Sequence, residues 1–255
     1  MTVRIMSFNL RVAGRTVDGE NRFEKRAPLI AKLLREESPD LIGFQEATDL
    51  SRAYLEDLLC RDYLLLGCGR DSDCRGEGCT VAVKREKFAL LSFETLWLSE
   101  TPEVPGSCLT DSDQSKCPRL AHLLLLRPYG RGGNFRFVNT HLDHVGDEAR
   151  RRELAILGPH LLANDLPAAL TGDFNACPDS ATIRGFEEKM KPHGWYDATE
   201  GTGGTFHAYG KCERLTKIDY IYTNCRSENS RVLVREPVDG VYYSDHYAVV
   251  SDLIL

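Results

Sequence analysis

At 255 residues, with 42% apolar and 27% charged side chains, the chain has the make-up of a soluble globular domain and enough apolar residues for a packed core. A formal net charge of −6 disfavours a broad basic face that grips nucleic acid non-specifically, while a local basic rim stays compatible with it. No apolar run reaches the roughly 20 residues of a membrane span, and the first ten residues lack the charged head and long apolar stretch of a signal peptide, so a cytoplasmic monomer is expected.

No Pro/Gly/Ser-rich linker, low-complexity tract or charge block divides the chain, which reads as one domain over residues 1–255. Val3 to Phe8 alternates as a strand and ends at Asn9. Arg22 to Glu37 puts Leu29, Ile30, Leu33 and Leu34 on one helical stripe, closed by Pro39. Leu41 to Phe44 is a buried strand running into Gln45-Glu46. Asp49 or Ser51 caps a short helix through Leu59 with Tyr54, Leu55, Leu58 and Leu59 inward. Strands follow near Tyr63–Leu66, Thr80–Val83 and Ala89–Trp97. Ser99 to Pro118, with three prolines, is a long loop that delivers Arg119 into the next strand. Leu120–Leu126 and Phe135–Thr140 are strands, and the second enters His141-Leu142-Asp143-His144. An amphipathic helix spans Asp147 to Leu162. Ala168–Thr171 leads into Gly172-Asp173-Phe174-Asn175, a helix covers Ser180 to Lys191, and strands are read at Ile218–Tyr222, Val232–Val234 and Tyr247–Leu255.

The nine cysteines form an odd set without a secretory signal, which points to reduced thiols. Cys60, Cys68, Cys74 and Cys79 are close enough to suggest a metal knuckle, yet none of their gaps is the C-x-x-C of structural zinc sites.

Asn9, Glu46, His141, Asp173, Asn175, Asp219, Asp245 and His246 all fall at or near the end of an apolar run. Polar groups at strand ends converge on one edge of a sheet scaffold, where sites are built. Asp173 is suited to hold and deprotonate a water, and Asn175 to position a phosphate; strand-like spacing would turn both to one side. Taken alone, the segment reads equally as an Asx-type turn. Asp245 beside His246 offers an acid to orient a ring, but neighbours in a strand face oppositely, so the imidazole needs a bend or another partner, such as Asp219. An imidazolium so held stabilises a phosphorane or assists the leaving oxygen. Glu46 is a natural hard-oxygen ligand for Mg²⁺ or Mn²⁺, with Asn9 alongside, and His141 can donate to phosphate.

Ser7-Phe8-Asn9-Leu10, Phe44-Gln45-Glu46, Asn139 to His144, Gly172 to Asn175, Lys217-Ile218-Asp219-Tyr220-Ile221 and Ser244-Asp245-His246 together resemble the endonuclease/exonuclease/phosphatase superfamily, in its order and across nearly the whole chain. The elements alone indicate mixed strands in packed sheets with helices outside, an α/β arrangement, and do not separate that from a doubly wound sheet. The resemblance implies a four-layer α-β-β-α sandwich, two mixed β-sheets flanked by helices. It also implies metal ligation by Glu46 with Asn9 beside it and Asp245 near the metal or its waters. Asp173 would then act on the water, Asn175 and His141 on the phosphate, and His246 with Asp219. Arg119 resembles a substrate-contact arginine of short bacterial-type members. Repair nucleases usually carry an acid where this chain has Arg11, and no Lys/Arg-rich insertion is present to wedge into a duplex.

The expected activity is metal-dependent hydrolysis of a phosphate ester by an activated water. The substrate is left open among nucleic acid, a short oligonucleotide, a small phosphorylated compound and a lipid headgroup. Phe206, Tyr209, Tyr242 and Tyr243 are candidates to stack on a base or ring. The competing readings are a catalytically silent phosphate-binding or scaffold protein on the same fold and a zinc-dependent interaction module at Cys60–Cys79.

Overall fold

Alternation along the strands decides the layers. In β1 (Thr2–Asn9), Val3 and Ile5 enter one apolar cluster while Met6 and Phe8 enter another. In β7 (Phe135–His141), Phe135 and Phe137 join the cluster of Val3 and Ile5, and Val138 faces the other way. Strands buried on both faces must be covered on both. The computed structural model, which describes residues 1–130 and 132–255, meets that need with two mixed six-stranded sheets packed face to face and helices outside each.

The first sheet runs β11 (Arg226–Val232), β12 (Val249–Ile254), β1, β2 (Leu41–Gln45), β4 (Val81–Lys84), β3 (Tyr63–Leu66). The second runs β5 (Phe88–Trp97), β6 (Leu120–Pro128), β7, β8 (Ala168–Asp173), β10 (Asp219–Thr223), β9 (Tyr196–Asp197). At the centre of each lies a parallel pair, β1 with β2 and β7 with β8, and the remaining pairings are antiparallel. A parallel pair needs a crossover. Helix α1 (Phe23–Glu37) supplies it in the first sheet and α3 (Asp147–Leu161) in the second. Helices α2 (Asp49–Leu59) and α4 (Ala181–Met190) complete the two outer layers.

Several local expectations are corrected. The buried stripe of α1 is Phe23, Arg26, Ala27, Ile30, Ala31, Leu33 and Leu34, and Leu29 sits at its margin. The cap of α2 is Thr48, whose N–H donates to Ser51 Oγ at 2.9 Å, so Asp49 and Ser51 lie inside the helix. The eleventh strand is Arg226–Val232, ahead of the expected Val232–Val234. Its sequence RSENSRV is polar because it forms a sheet edge, bulged between Glu228 and Arg231, where charge blocks unwanted pairing. The loop from Ser99 to Pro118 is tied down: the Asp113 carboxylate accepts from the N–H of Glu148 (3.1 Å) and Ala149 (2.8 Å), serving the free amides of α3, whose N-cap is Gly146.

Toward the C-terminal ends of the parallel pairs the apolar contact between sheets gives way to a polar layer. Gln45 Nε2 donates to Asn139 Oδ1 (2.7 Å) and Ser7 Oγ (3.2 Å), Asn139 Nδ2 to the Phe44 carbonyl (2.9 Å), and Thr171 Oγ1 to Asn139 Oδ1 (3.0 Å). All four side chains are fully buried. Gly43 makes room for them, because a Cβ there would run into Thr171 Oγ1 and the Asn139 side chain. Gly43→Ala should therefore destabilise the fold by about 1–3 kcal/mol, read as a lower denaturation midpoint in urea; an unchanged midpoint would show that the sheets tolerate separation at this layer.

Candidate active site

Each parallel pair ends in polar residues. Asn9 closes β1, His141 closes β7, Asp173 closes β8, and Glu46 follows β2 directly. Asp219 opens β10 opposite Asp173, and His246 lies just before β12. These termini meet on one side of the sandwich in a cleft of about 430 Å³, which is lined by Arg11, Arg15, Glu46, Arg70, Glu77, Cys117, Arg119, His141, His144, Asp173, Asn175, Phe206, Asp245 and His246, among others. A larger cavity of about 560 Å³ opens at the opposite end of the first sheet, under the C-termini of α1 and α2. There Arg85 Nε donates to the Cys60 carbonyl at 3.3 Å, just past the end of α2, and no histidine is among the lining residues.

Glu46, His141 and Asp173 each present a ligand atom within 4.8 Å of the others, as do Asp173, Asp219 and His246. Asp173 is common to both groups and is 1% exposed. Its Oδ2 accepts from Asn9 Nδ2 at 2.9 Å and lies 3.5 Å from His141 Nε2 and 3.8 Å from His246 Nε2. Burial, and after it the charge of Asp219, hold the Asp173 carboxyl well above its ordinary range. Burial would depress His246, but Asp219 Oδ2 at 2.9 Å from Nδ1 outweighs it and raises the ring well above 6.5. His141, by contrast, is held neutral by burial and by the positive charges of Arg119 and Arg70.

Asp173 and Asn175 do not share a strand face. Asn175 takes a left-handed φ of 50°, and its N–H donates to Asp173 Oδ1 at 2.9 Å, so the turn reading and the site reading are the same structure. The turn sends Phe174 into the helix-side core against Phe186, Tyr220 and Tyr222 and aims Asn175 Nδ2 at His141 Nε2 (3.0 Å) and the Leu142 carbonyl (3.0 Å). Arg11, Glu46, Ala208 and Tyr209 also have positive φ, between 48° and 58°. Such conformations cost on the order of 1 kcal/mol or more each, and they gather where function over-determines the backbone.

Asn9 presents its amide nitrogen to Glu46 Oε1 (3.1 Å) and to Asp173, while its oxygen accepts the Arg11 N–H (2.8 Å). A neutral amide thus bridges two carboxylates and leaves their charge to a cation. With carboxylate oxygens of Glu46 and Asp173 converging beside a neutral His141, the donor set fits a hard divalent ion. Asp245 stands apart from both groups: its carboxylate lies 3.6 Å from Arg11 Nη1 and accepts from Ser244 Oγ at 3.3 Å. Arg11 also pairs with Asp18 at 3.1 Å, so it is neutralised in place. Of the four aromatic candidates, Phe206 lines the cleft, its ring 4.9 Å from that of His246. Tyr209 and Tyr242 pack on each other, and Tyr243 packs on the α1 layer.

Sequence reasoning passed over Arg26. It is fully buried in α1, and its guanidinium donates to the carbonyls of Leu10 (2.5 Å), Asn21 (2.6 Å), Arg11 (3.2 Å) and Tyr243 (3.2 Å), pinning the segment after β1 to the segment that carries His246. Its helical spacing with Phe23 and Ile30 was the available signal.

A model of the Endonuclease/Exonuclease/phosphatase family matches residues 6–246. An endonuclease/exonuclease/phosphatase from Bacteroides vulgatus is 28% identical, superposes with a TM-score of 0.89, and the match covers 100% of this chain and 99% of that one. The mannosyl-6-phosphatase of Bacteroides thetaiotaomicron is 26% identical with a TM-score of 0.86, over 99% and 100% of the two chains. An uncharacterized protein, L388, of Acanthamoeba polyphaga mimivirus is 28% identical over 163 residues, 60% of this chain; the match spans only 59% of that protein.

The Asp219–His246 pair gives a sign that can be checked. A histidine raised in the fold contributes stability that is complete below its unfolded pKa, near 6.5, and is lost as pH rises through the folded value. Asp219→Asn leaves burial as the main influence on the ring. The NMR titration midpoint of His246 should therefore move from above 6.5 to below it. A midpoint that stays above 6.5 would assign the proton to another partner.

Proposed function

The chain belongs to the Endonuclease/Exonuclease/phosphatase family, and from that premise we propose that it is a divalent-metal-dependent hydrolase of phosphate esters, working by in-line attack of an activated water. The observation that carries the reading is the convergence of Glu46, His141 and Asp173 with the Asp219–His246 pair in one cleft, from strand ends of both sheets.

Each residue has a part suited to its surroundings. Asp173, raised by burial, is a better proton acceptor than an exposed carboxylate and faces the cleft, so it takes the proton of the attacking water. Asn175, fixed by its turn, orients the phosphate beside His141. His246 is kept charged by Asp219 and directs Nε2 toward the Asp173 side of the site, where it donates to phosphoryl oxygens as charge builds on them. Glu46, with Asp173 and His141 at hand, would hold Mg²⁺ or Mn²⁺, which would neutralise phosphate charge and polarise the ester. Asn9 keeps the two carboxylates apart and aligned. A cleft of about 430 Å³ suits a phosphate with one small attached group, or a strand end, better than a duplex.

With Mg²⁺ or Mn²⁺, cleavage of p-nitrophenyl phosphate or its bis ester should appear and vanish in EDTA. Asp173→Asn should lower turnover by roughly 10²–10⁴-fold with thermal unfolding little changed. Turnover near that of the native protein would remove Asp173 as the water-activating group. Glu46→Gln should weaken Mn²⁺ binding, titrated calorimetrically without substrate, by about tenfold or more; unaltered binding would strike Glu46 from the ligands. Orthophosphate binding without turnover of either ester would favour the silent scaffold.

A further inference from the structure

The cysteines from Cys60 to Cys79 take no part in the phosphate chemistry, and the fold gives their thiols different surroundings. Cys60 is exposed at the end of α2, and none of the four joins a metal-holding group among the described residues. Cys79 packs with Trp97 and Leu120, and burial pushes its thiol up to about 12, so it stays protonated and inert. Cys68 and Cys74 differ from both.

These two share one closed turn. Just past β3, the Gly69 N–H donates to the Cys74 carbonyl (2.9 Å), the Arg70 N–H to the Glu77 carbonyl (2.8 Å) and the Cys74 N–H to the Asp71 carbonyl (2.8 Å), while the Arg70 carbonyl accepts from Trp97 Nε1 (2.7 Å). One backbone hydrogen bond therefore links the peptide after Cys68 to Cys74 itself. Cys74 is exposed, with a left-handed φ of 62°. Cys68 is half-buried against the cluster of Cys79, and burial, followed by the neighbouring Cys74 sulfur, pushes its thiol up.

An exposed thiol beside a shielded one is the arrangement that reversible oxidation requires, one sulfur for the oxidant to reach and one to resolve the product. We propose that Cys68 and Cys74 form an oxidative modification site, joined as a disulfide by hydrogen peroxide and reopened by a low-molecular-weight thiol. The Cys74 thiolate attacks one peroxide oxygen; the O–O bond breaks, and the hydroxide released leaves as water on taking a proton. Cys68 gives up its proton, and its sulfur attacks the sulfenic sulfur of Cys74. The S–S bond forms, the S–O bond breaks and a second water leaves. The two thiols lose two electrons and two protons, and the peroxide is reduced to two waters. The crosslink closes the turn that carries Arg70 and Glu77 to the cleft, and the stem of that turn pairs with Ala47 through Gly78, at 2.9 and 3.1 Å, next to Glu46. Oxidation thus fixes one wall of the cleft while leaving Asp173 and His246 untouched.

The test exposes the fully reduced native protein to hydrogen peroxide and maps its peptides without reductant. Trypsin cuts after Arg70 and Arg75, so the disulfide joins peptide Asp62–Arg70 to peptide Asp71–Arg75. Mass spectrometry should find that pair before any other linkage, and dithiothreitol should abolish it. Cys68→Ser should leave Cys74 as a sulfenic acid that dimedone captures, whereas Cys74→Ser should leave Cys68 unmodified at the same peroxide concentration. Linkage of either residue to a different cysteine, or both remaining open to iodoacetamide while other thiols oxidise, would overturn the site. Dimedone capture at Cys68 in the Cys74→Ser protein would overturn the order of attack.

Discussion

The hydrogen bond from Gln45 to Asn139 is the contact on which the rest of this molecule turns. Apolar faces attract without direction, so two sheets joined only by valines, leucines and phenylalanines have no strong preference for one relative position. Directional bonds in a buried layer supply it. Ser7, Asn139 and Thr171 each lie two residues before a cleft residue on the same strand, Asn9, His141 and Asp173, and Gln45 immediately precedes Glu46. Because side chains repeat every second residue along a strand, the inter-sheet face of β1, β7 and β8 passes from apolar core to polar bridge to cleft in successive steps. Register set at the bridge is register set at the site.

The layer above is held by the helix-side elements. Arg26 gathers carbonyls from three separate segments, and Ser244 Oγ donates to the Asn9 carbonyl at 2.7 Å. These bonds hold the chain where it has left β1 and taken a left-handed turn at Arg11, while bonds from Asn9 and Val12 hold Glu46 and bonds to Asp173 and Leu142 hold Asn175 at their own left-handed turns. A carboxylate at a strand terminus would ordinarily swing into water. Here the turn fixes its backbone and the neighbouring bonds fix its side chain, and that arrangement keeps Asp173 buried and unusually basic.

The strands were readable because apolar residues alternate or run together, and the cleft residues because each interrupts such a run at its end. The fold required more than periodicity: nothing in β1 or β7 taken alone says that its parallel neighbour lies across a helical crossover, or that the two sheets stack. That came with the order of six short motifs. What escaped was polar. The strand Arg226–Val232 is an edge whose burial pattern carries no apolar signal, and Arg26, buried among carbonyls of distant segments, lies outside the stripe that the leucines of α1 announce. In each case the partner lies far along the chain, and local pattern has no means of naming it.

The parallel pairs also separate the site into halves. Asn9 and Glu46 belong to the first sheet, His141 and Asp173 to the second, and the proton pair joins Asp219 of the second to His246 beside the last strand of the first. The bond between Asn9 and Asp173 spans 164 residues and that between Ser244 and Asn9 spans 235. No continuous portion of the polypeptide therefore holds the whole constellation: the N-terminal half contains Asn9 and Glu46 but none of their partners from the second sheet. The constellation is complete only when both sheets are formed and the segment bearing His246, just ahead of β12, is in place.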